Sequence, residues 1–371
     1  MNVRYVVAFS LVAISLAGVI EWCEVRGARQ VSQSTSMPAT LSGPVVVSGP
    51  AMGSTWTVRV AHLPASLSAE MIRATAQTTL DDIERQTSTY RADSELSQFN
   101  RFRHTDWFAV SADFARVVKE SHAVSEQTNG AFDVTVGRLV NLWGFGPIHP
   151  AGPFGTIPSD AMIEDACRHV NYRLLEVRFF PAAARKSDPL TYVDLSAIAK
   201  GYAAELVGHR LEALGVRDYL VLVGGEVHAR GFSPLGRPWR VGIETPTPGV
   251  HRVLYTVELH ELSLSTSGDY RNYFDAGGRR YCHEIDPATG RPSTRNSASV
   301  TVGHPSGAYA DAVATALMVL GPNQGMALAN KLHLAAFFII RAENHFESRA
   351  TPEFQKLLVS GADGGLPPPS E

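Results

Sequence analysis

The stretch Thr191-Tyr192-Val193-Asp194-Leu195-Ser196-Ala197-Ile198-Ala199-Lys200-Gly201-Tyr202 decides how the chain folds. Three β-formers run into a polar break, after which Ile198, Tyr202, Leu206 and Leu214 recur on one stripe. That spacing predicts a helix from about Ala197 to Leu214, stopped by Gly215. A strand therefore feeds a helix start, whose free N–H groups favour an anion, and Lys200 one turn in adds a positive charge. It is no Walker loop, because G-x-x-x-x-G-K-[ST] is absent. Asp194 as an ordinary cap with Lys200 solvated accounts for the same residues.

Outward from this stretch, helices and strands mix without β-α alternation. Thr55 to Val60 alternates as a strand, and Ser68 caps a helix with Ile72, Ala76, Leu80 and Ile83 on one face. Ser111 caps another, with Phe114, Val117, Val118 and Val124 inward, ended by Asn129-Gly130. Tyr219 to Val223, Trp239 to Glu244 and Leu254 to Leu259 read as strands, Ala308 to Leu320 as a helix, and Leu334 to Arg341 as a nearly all-apolar central strand. This order predicts an α+β fold with mixed, largely antiparallel sheets, not a doubly wound one.

The chain has 371 residues, 44% of them hydrophobic and 19% charged, which excludes a disordered or collagen-like protein. A net charge of −3 leaves no electrostatic footprint for a nucleic-acid backbone. Three cysteines cannot build a disulfide scaffold; Cys167 and Cys282 can pair or stay free and buried. Arg4 precedes an uncharged apolar run from Tyr5 to Ile20, shorter than the ~20 residues of a membrane span. Residues 1–24 are expected to be a signal peptide or N-terminal anchor, and 25–47 a flexible linker. The folded body is expected over 48–359 and a disordered, Pro-rich tail over 360–371. Cys23 invites lipidation, but Ile20-Glu21-Trp22 is a poor lipobox. The expected location is periplasmic, free or tethered to the inner membrane.

Four other features carry more glycine and polar residues than packing requires. Gly130-Ala131-Phe132-Asp133-Val134-Thr135-Val136-Gly137 with Trp143-Gly144-Phe145-Gly146 suits backbone approaching a flat ligand, or a glycine-bent loop packing its own aromatics. Gly224-Gly225-Glu226 allows close approach or a plain turn. His283 precedes the turn signature Asp286-Pro287-Ala288-Thr289-Gly290 and has the right chemistry for a general base. Asp311 and Thr315 share one helix face, an oxygen pair that suits Mg²⁺, or a solvated Asp beside a Thr bonded to its own helix.

Taken in order, these stretches resemble the ApbE family of FAD:protein FMN transferases. The likeness adds Ala51-Met52-Gly53-Ser54-Thr55, Ser88-Thr89-Tyr90-Arg91 with Ser94-Glu95-Leu96-Ser97, and Ser265-Thr266-Ser267-Gly268-Asp269-Tyr270. It runs from about Gly49 to Arg341, and eight weak motifs in register make a specific whole. The resemblance implies two lobes around a flavin cleft and transfer of FMN from FAD to a threonine hydroxyl of an acceptor protein, releasing AMP. That acceptor would be a membrane redox-complex subunit. Met52, Tyr90, Ala131, Phe132, Asp133, Asp194, Lys200 and Ile285 would line the FAD site. The Ala197 carbonyl, Asp311, Ala314 and Thr315 would surround Mg²⁺, and His283 would be the base. Cys282 and Glu284 flank His283 where a His and an apolar residue are usual, and Glu226 replaces the usual Asp. Ala314 lacks the carboxylate some relatives offer the metal. A Mg²⁺-dependent FAD pyrophosphatase and a non-catalytic periplasmic flavin-binding protein are the competing expectations.

Overall fold

A computed structural model of the chain describes residues 43–343 and 345–359. The expected leader, the expected tail and most of the expected linker lie outside them. Eight strands form one sheet: β1 (Val45–Ala51), β2 (Ser54–Val60), β3 (Tyr219–Val223), β4 (Glu226–Arg230), β5 (Leu262–Gly268), β6 (Ser297–His304), β7 (Ala335–Arg341) and β8 (Phe346–Ala350). Each pairs antiparallel with the next, so the sheet is a meander whose long excursions carry the helices and the site. The fold is α+β, as expected.

One boundary and one strand position differ from the sequence reading. β1 begins inside the stretch read as linker, because Val45-Val46-Val47 pairs with Val58, Arg59 and Val60. β7 is next to the sheet edge, not central. Its apolar run has another cause: Phe338 faces the helices while Phe337 and Ile339 face a second core on the opposite side. The hairpin of Trp239–Glu244 with Val253–Leu259 and the short helix Pro352–Gln355 cover that second face.

The first face is covered by α1 (Ala69–Thr87), α2 (Ala112–Gln127), α3 (Ser196–Ala213) and α4 (Gly307–Lys331). Ser68, Ser111 and Ser306 each cap a helix by accepting a backbone N–H three residues on. The helical backbone stops after Leu320, as expected, at Gly321 (φ +75°), and a second helical stretch starts at Pro322 and completes α4 to Lys331. α3 and α4 cross at a pair of glycines. A Cβ on Gly201 would stand 2.1 Å from the Gly307 carbonyl oxygen, and one on Gly307 2.4 Å from that of Gly201. This crossing brings Asp311 of α4 onto the first turn of α3. Gly201→Ala is expected to lower stability by about 2–3 kcal/mol, read by urea unfolding, since backbone must move to admit the methyl.

A smaller apolar cluster flanks this body. Leu139, Trp143, Phe145, Ile163, Phe274 and Ile285 build it from short helices and two small hairpins. Cys167 and Cys282 are both free.

Candidate active site

Thr191–Val193 is extended, but makes only a single parallel bridge, Tyr192 to Val136, in place of the expected strand. A side chain substitutes for the missing ladder. Asn100 accepts from the Val193 N–H and donates to the Val193 carbonyl, both at 2.8 Å. The fully buried Lys186 ammonium donates to the carbonyls of Phe99 (3.1 Å) and Thr191 (3.3 Å). Asn100→Ala would strand both Val193 groups, and is expected to cost about 2–4 kcal/mol in urea unfolding.

Beyond this bracket, the Asp194 carboxylate accepts from the Ser196 N–H at 2.9 Å and its hydroxyl at 2.6 Å. Asp194 thus opens the helix start, although Leu195 holds the formal cap position. Ala197 has non-helical backbone angles (φ −90°, ψ 15°). The Gly201 N–H, which an unbroken helix would direct at the Ala197 carbonyl, donates to Asp311 Oδ2 at 2.9 Å.

Lys200 reaches into a group of buried carboxylates. Its Nζ lies 3.3 Å from Glu226 Oε1, and Glu226 Oε2 accepts from the Thr266 N–H at 3.3 Å. Burial would lower Lys200, but Glu226 and Asp311 outweigh it and hold the ammonium above its usual range. Burial, then Glu226, pushes the Asp311 carboxyl up to about 8, with Lys200 opposing. Burial pushes Glu284 up to about 8 as well, again against Lys200. Burial thus holds protons on Asp311 and Glu284, while Glu226 pairs with Lys200 and also attracts Arg271. Gly224-Gly225 forms the turn that was one of its two expected roles. It is the two-residue turn joining β3 to β4, at φ +60° and +112°, and a Cβ on Gly224 would come within 3.2 Å of Lys200 Cδ.

His283 stands beside this group with 38% of its side chain open to solvent. Its Nδ1 is 3.2 Å from the Asn272 carbonyl oxygen. A carbonyl only accepts, so Nδ1 carries the proton and Nε2 presents a lone pair, 3.6 Å from Glu284 Oε1. Burial, and then Lys200, lowers the imidazole to about 4, so it is neutral at pH 7.

The other expected site residues divide by position. Tyr90 is 68% exposed, donates its hydroxyl to the Phe145 carbonyl (2.9 Å) and feels the charge of Asp194. Met52 sits in the β1–β2 turn at φ +52°, its N–H bonded to Glu84. Thr315 is 3.1 Å from the Ser267 hydroxyl rather than tied to its own helix. Ala314 and Ile285 are buried, and Ala131 is half-buried. Phe132 belongs to the main core, and the Asp133 carboxylate is engaged by Thr135 and the Tyr172 N–H. The rings of the glycine-aromatic loop pack against a separate hairpin: Trp143 stacks on Tyr281, Tyr281 on Phe274 and Phe274 on Phe145. Glu226 and Glu284, which sequence reasoning noted only as departures, are central to the charge of the site. The visible signal was an acid directly after the double glycine, and a second one beside the candidate base.

The donor set fits a hard cation. Among the described residues no three His, Cys, Asp or Glu side chains converge in a metal cluster, which argues against a zinc-type site. Asp311 is buried among other acids and bonded to the first turn of α3, where Ala197 departs from helical geometry. One carboxylate, a hydroxyl and backbone oxygens suit Mg²⁺, which keeps waters and substrate oxygens as its other ligands.

An antiparallel sheet backed by crossed helices, with a lysine and buried acids near the crossing and a histidine beside them, defines an α+β protein with a charged cluster at the helix start. Residues 52–338 match the ApbE family. The FAD:protein FMN transferase of Vibrio cholerae is 39% identical over 314 residues, 85% of this chain and 92% of its own length. That of Escherichia coli K12 is 38% identical over 317 residues, 85% and 89% of the two chains. The solved flavin transferase ApbE from Vibrio cholerae has a TM-score of 0.77 at 37% identity, covering 85% of this chain and 99% of that one. The apo flavinyl transferase ApbE of Pseudomonas stutzeri has a TM-score of 0.78 at 38% identity, covering 88% and 100%. The chain belongs to the ApbE family.

Proposed function

We propose that this chain transfers the FMN half of FAD to a threonine hydroxyl of an acceptor protein, in a Mg²⁺-dependent reaction that releases AMP. The observation that carries the reading is the setting of His283: the ring is held through Nδ1–H on the Asn272 carbonyl, Nε2 faces Glu284, and the ring feels the charge of Lys200. In the reaction the threonine oxygen bonds to the FMN-side phosphorus, and its proton passes to Nε2. The pyrophosphate P–O bond breaks, and its electron pair leaves on the AMP phosphate.

Lys200 places a fixed positive charge against the pyrophosphate, where charge grows as AMP leaves. The Ala197 carbonyl, Asp311, Thr315 and Ala314 would hold Mg²⁺. When bound, it would supply Lewis-acid neutralisation of the same phosphates. Exposed Tyr90, Met52 and the Asp194 turn offer the surface for the rest of FAD, with Ala131 and Ile285 alongside. Phe132 and Asp133 act by holding the loop in place. The names of the relatives support flavin transfer from FAD to protein. We extend this to export, with the catalytic body facing the periplasm and acting on a subunit of a membrane redox complex.

Water reaching the same phosphorus would give FMN and AMP without an acceptor. Chromatography of AMP from FAD and Mg²⁺, with and without a threonine-bearing acceptor domain, separates the two. AMP formation that depends on the acceptor supports transfer; equal rates in both would replace it with hydrolysis.

A further inference from the structure

A cavity of about 720 Å³ opens beside Cys282, the residue before His283, and none of its lining residues belongs to the set assigned above to FAD or Mg²⁺. Its size is that of a small-molecule site. Four arginines line it, and only two carboxylates. Asp269 is held by Arg341, at 2.8 and 3.1 Å, and Asp275 by Arg280 at 3.3 Å. That leaves Arg279 and Arg295. Arg279 lies over the Tyr281 ring, and Arg295 donates to the Leu320 carbonyl and the Gln324 side chain. Among the described residues neither has a carboxylate in salt-bridge range, so the cavity carries two guanidinium charges in excess.

A second observation is independent of charge. Ser297 is 5% exposed, lines this cavity, and its Oγ has no hydrogen-bond partner among the described residues. A buried hydroxyl left unpaired costs about 1–3 kcal/mol. The surrounding backbone is also shaped for the site. Asn296 turns at φ +58°, and the break in α4 at Gly321 leaves room where a Cβ would meet Arg295 Cβ at 2.6 Å. The glycine thus admits the Arg295 stem against the broken helix.

We propose that this cavity is an anion site separate from the flavin site, taking a phosphate- or carboxylate-bearing ligand on Arg279 and Arg295 with the Ser297 hydroxyl as its buried donor. Guanidinium forks match the oxygen spacing of both groups. The volume exceeds that of a lone phosphate, so the natural ligand carries an organic part. Bound there, it lies one residue from His283.

The test is calorimetric titration of the full chain with inorganic phosphate and, separately, with succinate, each with and without saturating FAD. Saturable one-to-one binding that persists with FAD present is expected. Arg279→Ala with Arg295→Ala should weaken it at least 10-fold, and Ser297→Ala several-fold. Ser297→Ala removes a hydroxyl that bonds to nothing, so its melting temperature should not fall, which separates lost binding from lost folding. Response to phosphate alone or to succinate alone names the group recognised, and response to both supports the shared chemistry. The proposal is overturned if neither anion binds saturably below ~50 mM, a free energy too small for a built site. It is equally overturned if binding is unchanged in the arginine variants, or is abolished by FAD.

Discussion

Asp311→Asn is expected to reduce Mg²⁺-dependent transfer roughly 10³-fold, about 4 kcal/mol of transition-state stabilisation, while leaving the metal-free protein at least as stable as the wild type. The two effects have one origin. Asp311 is a carboxylate buried beside Glu226, in a group of acids that Lys200 alone does not balance. Its proton is held up to about pH 8 in the folded chain but leaves near the ordinary carboxylate value in the unfolded one. Between those values the native state binds more protons than the unfolded state, so the carboxylate costs stability as pH rises. An amide removes that cost and still accepts from the Gly201 N–H, but cannot supply the charge for a cation. In wild type, added Mg²⁺ should raise the melting temperature by linkage, and in Asp311→Asn it should not. A variant that transfers normally, or is stabilised by Mg²⁺ as wild type is, would remove Asp311 from the metal site.

His283→Ala is expected to slow transfer by 10²–10⁴-fold, the range of a lost general base, and to leave FAD affinity within about threefold. The ring packs away from the helix crossing, against the Asn272 carbonyl, the edge of Phe145 and the Glu284 carboxyl. The pH dependence follows from the direction of its shift. Burial and Lys200 lower the imidazole to about 4, so Nε2 stays unprotonated well below the usual histidine range. At saturating Mg²⁺, wild-type transfer should therefore hold its rate down to about pH 5 and show an acid limb near 4, not near 6.5. A limb near 6.5, or near-normal transfer by His283→Ala, would remove His283 as the base.

What could be read from the sequence was what local chemistry decides. Tyr219–Val223 and Trp239–Glu244 occupy the residues expected, because β-branched and aromatic runs were bounded by turn residues. The caps at Ser68 and Ser111 need only a hydroxyl and the next turn. Misreadings arose where a distant partner decides. The apolarity of β7 reflects two covered faces and not a central place. Thr191–Val193 is held extended by the side chain of Asn100, far away in sequence. The aromatic walls expected for a flat ligand, Trp143 and Phe145, stack on Tyr281 and Phe274 instead, because a hairpin from Tyr273 to Cys282 arrives to meet them.

The site was legible as a set of motifs, and its electrostatics were not. His283, Lys200 and Asp311 were each identifiable by type and spacing. That Glu226 and Glu284 join them as buried acids depends on the Gly201–Gly307 crossing and the Gly224-Gly225 turn, which bring four separate segments together. Helix periodicity shows which face is apolar; it does not show that two glycines let two helices touch.

The most direct measurement is intact-mass spectrometry of a threonine-bearing acceptor domain after incubation with the chain, FAD and Mg²⁺. The predicted result is a gain equal to FMN less one water, located on threonine by fragmentation, with one AMP released per acceptor modified. An acceptor of unchanged mass, with FAD either intact or converted to free FMN and AMP, would contradict it.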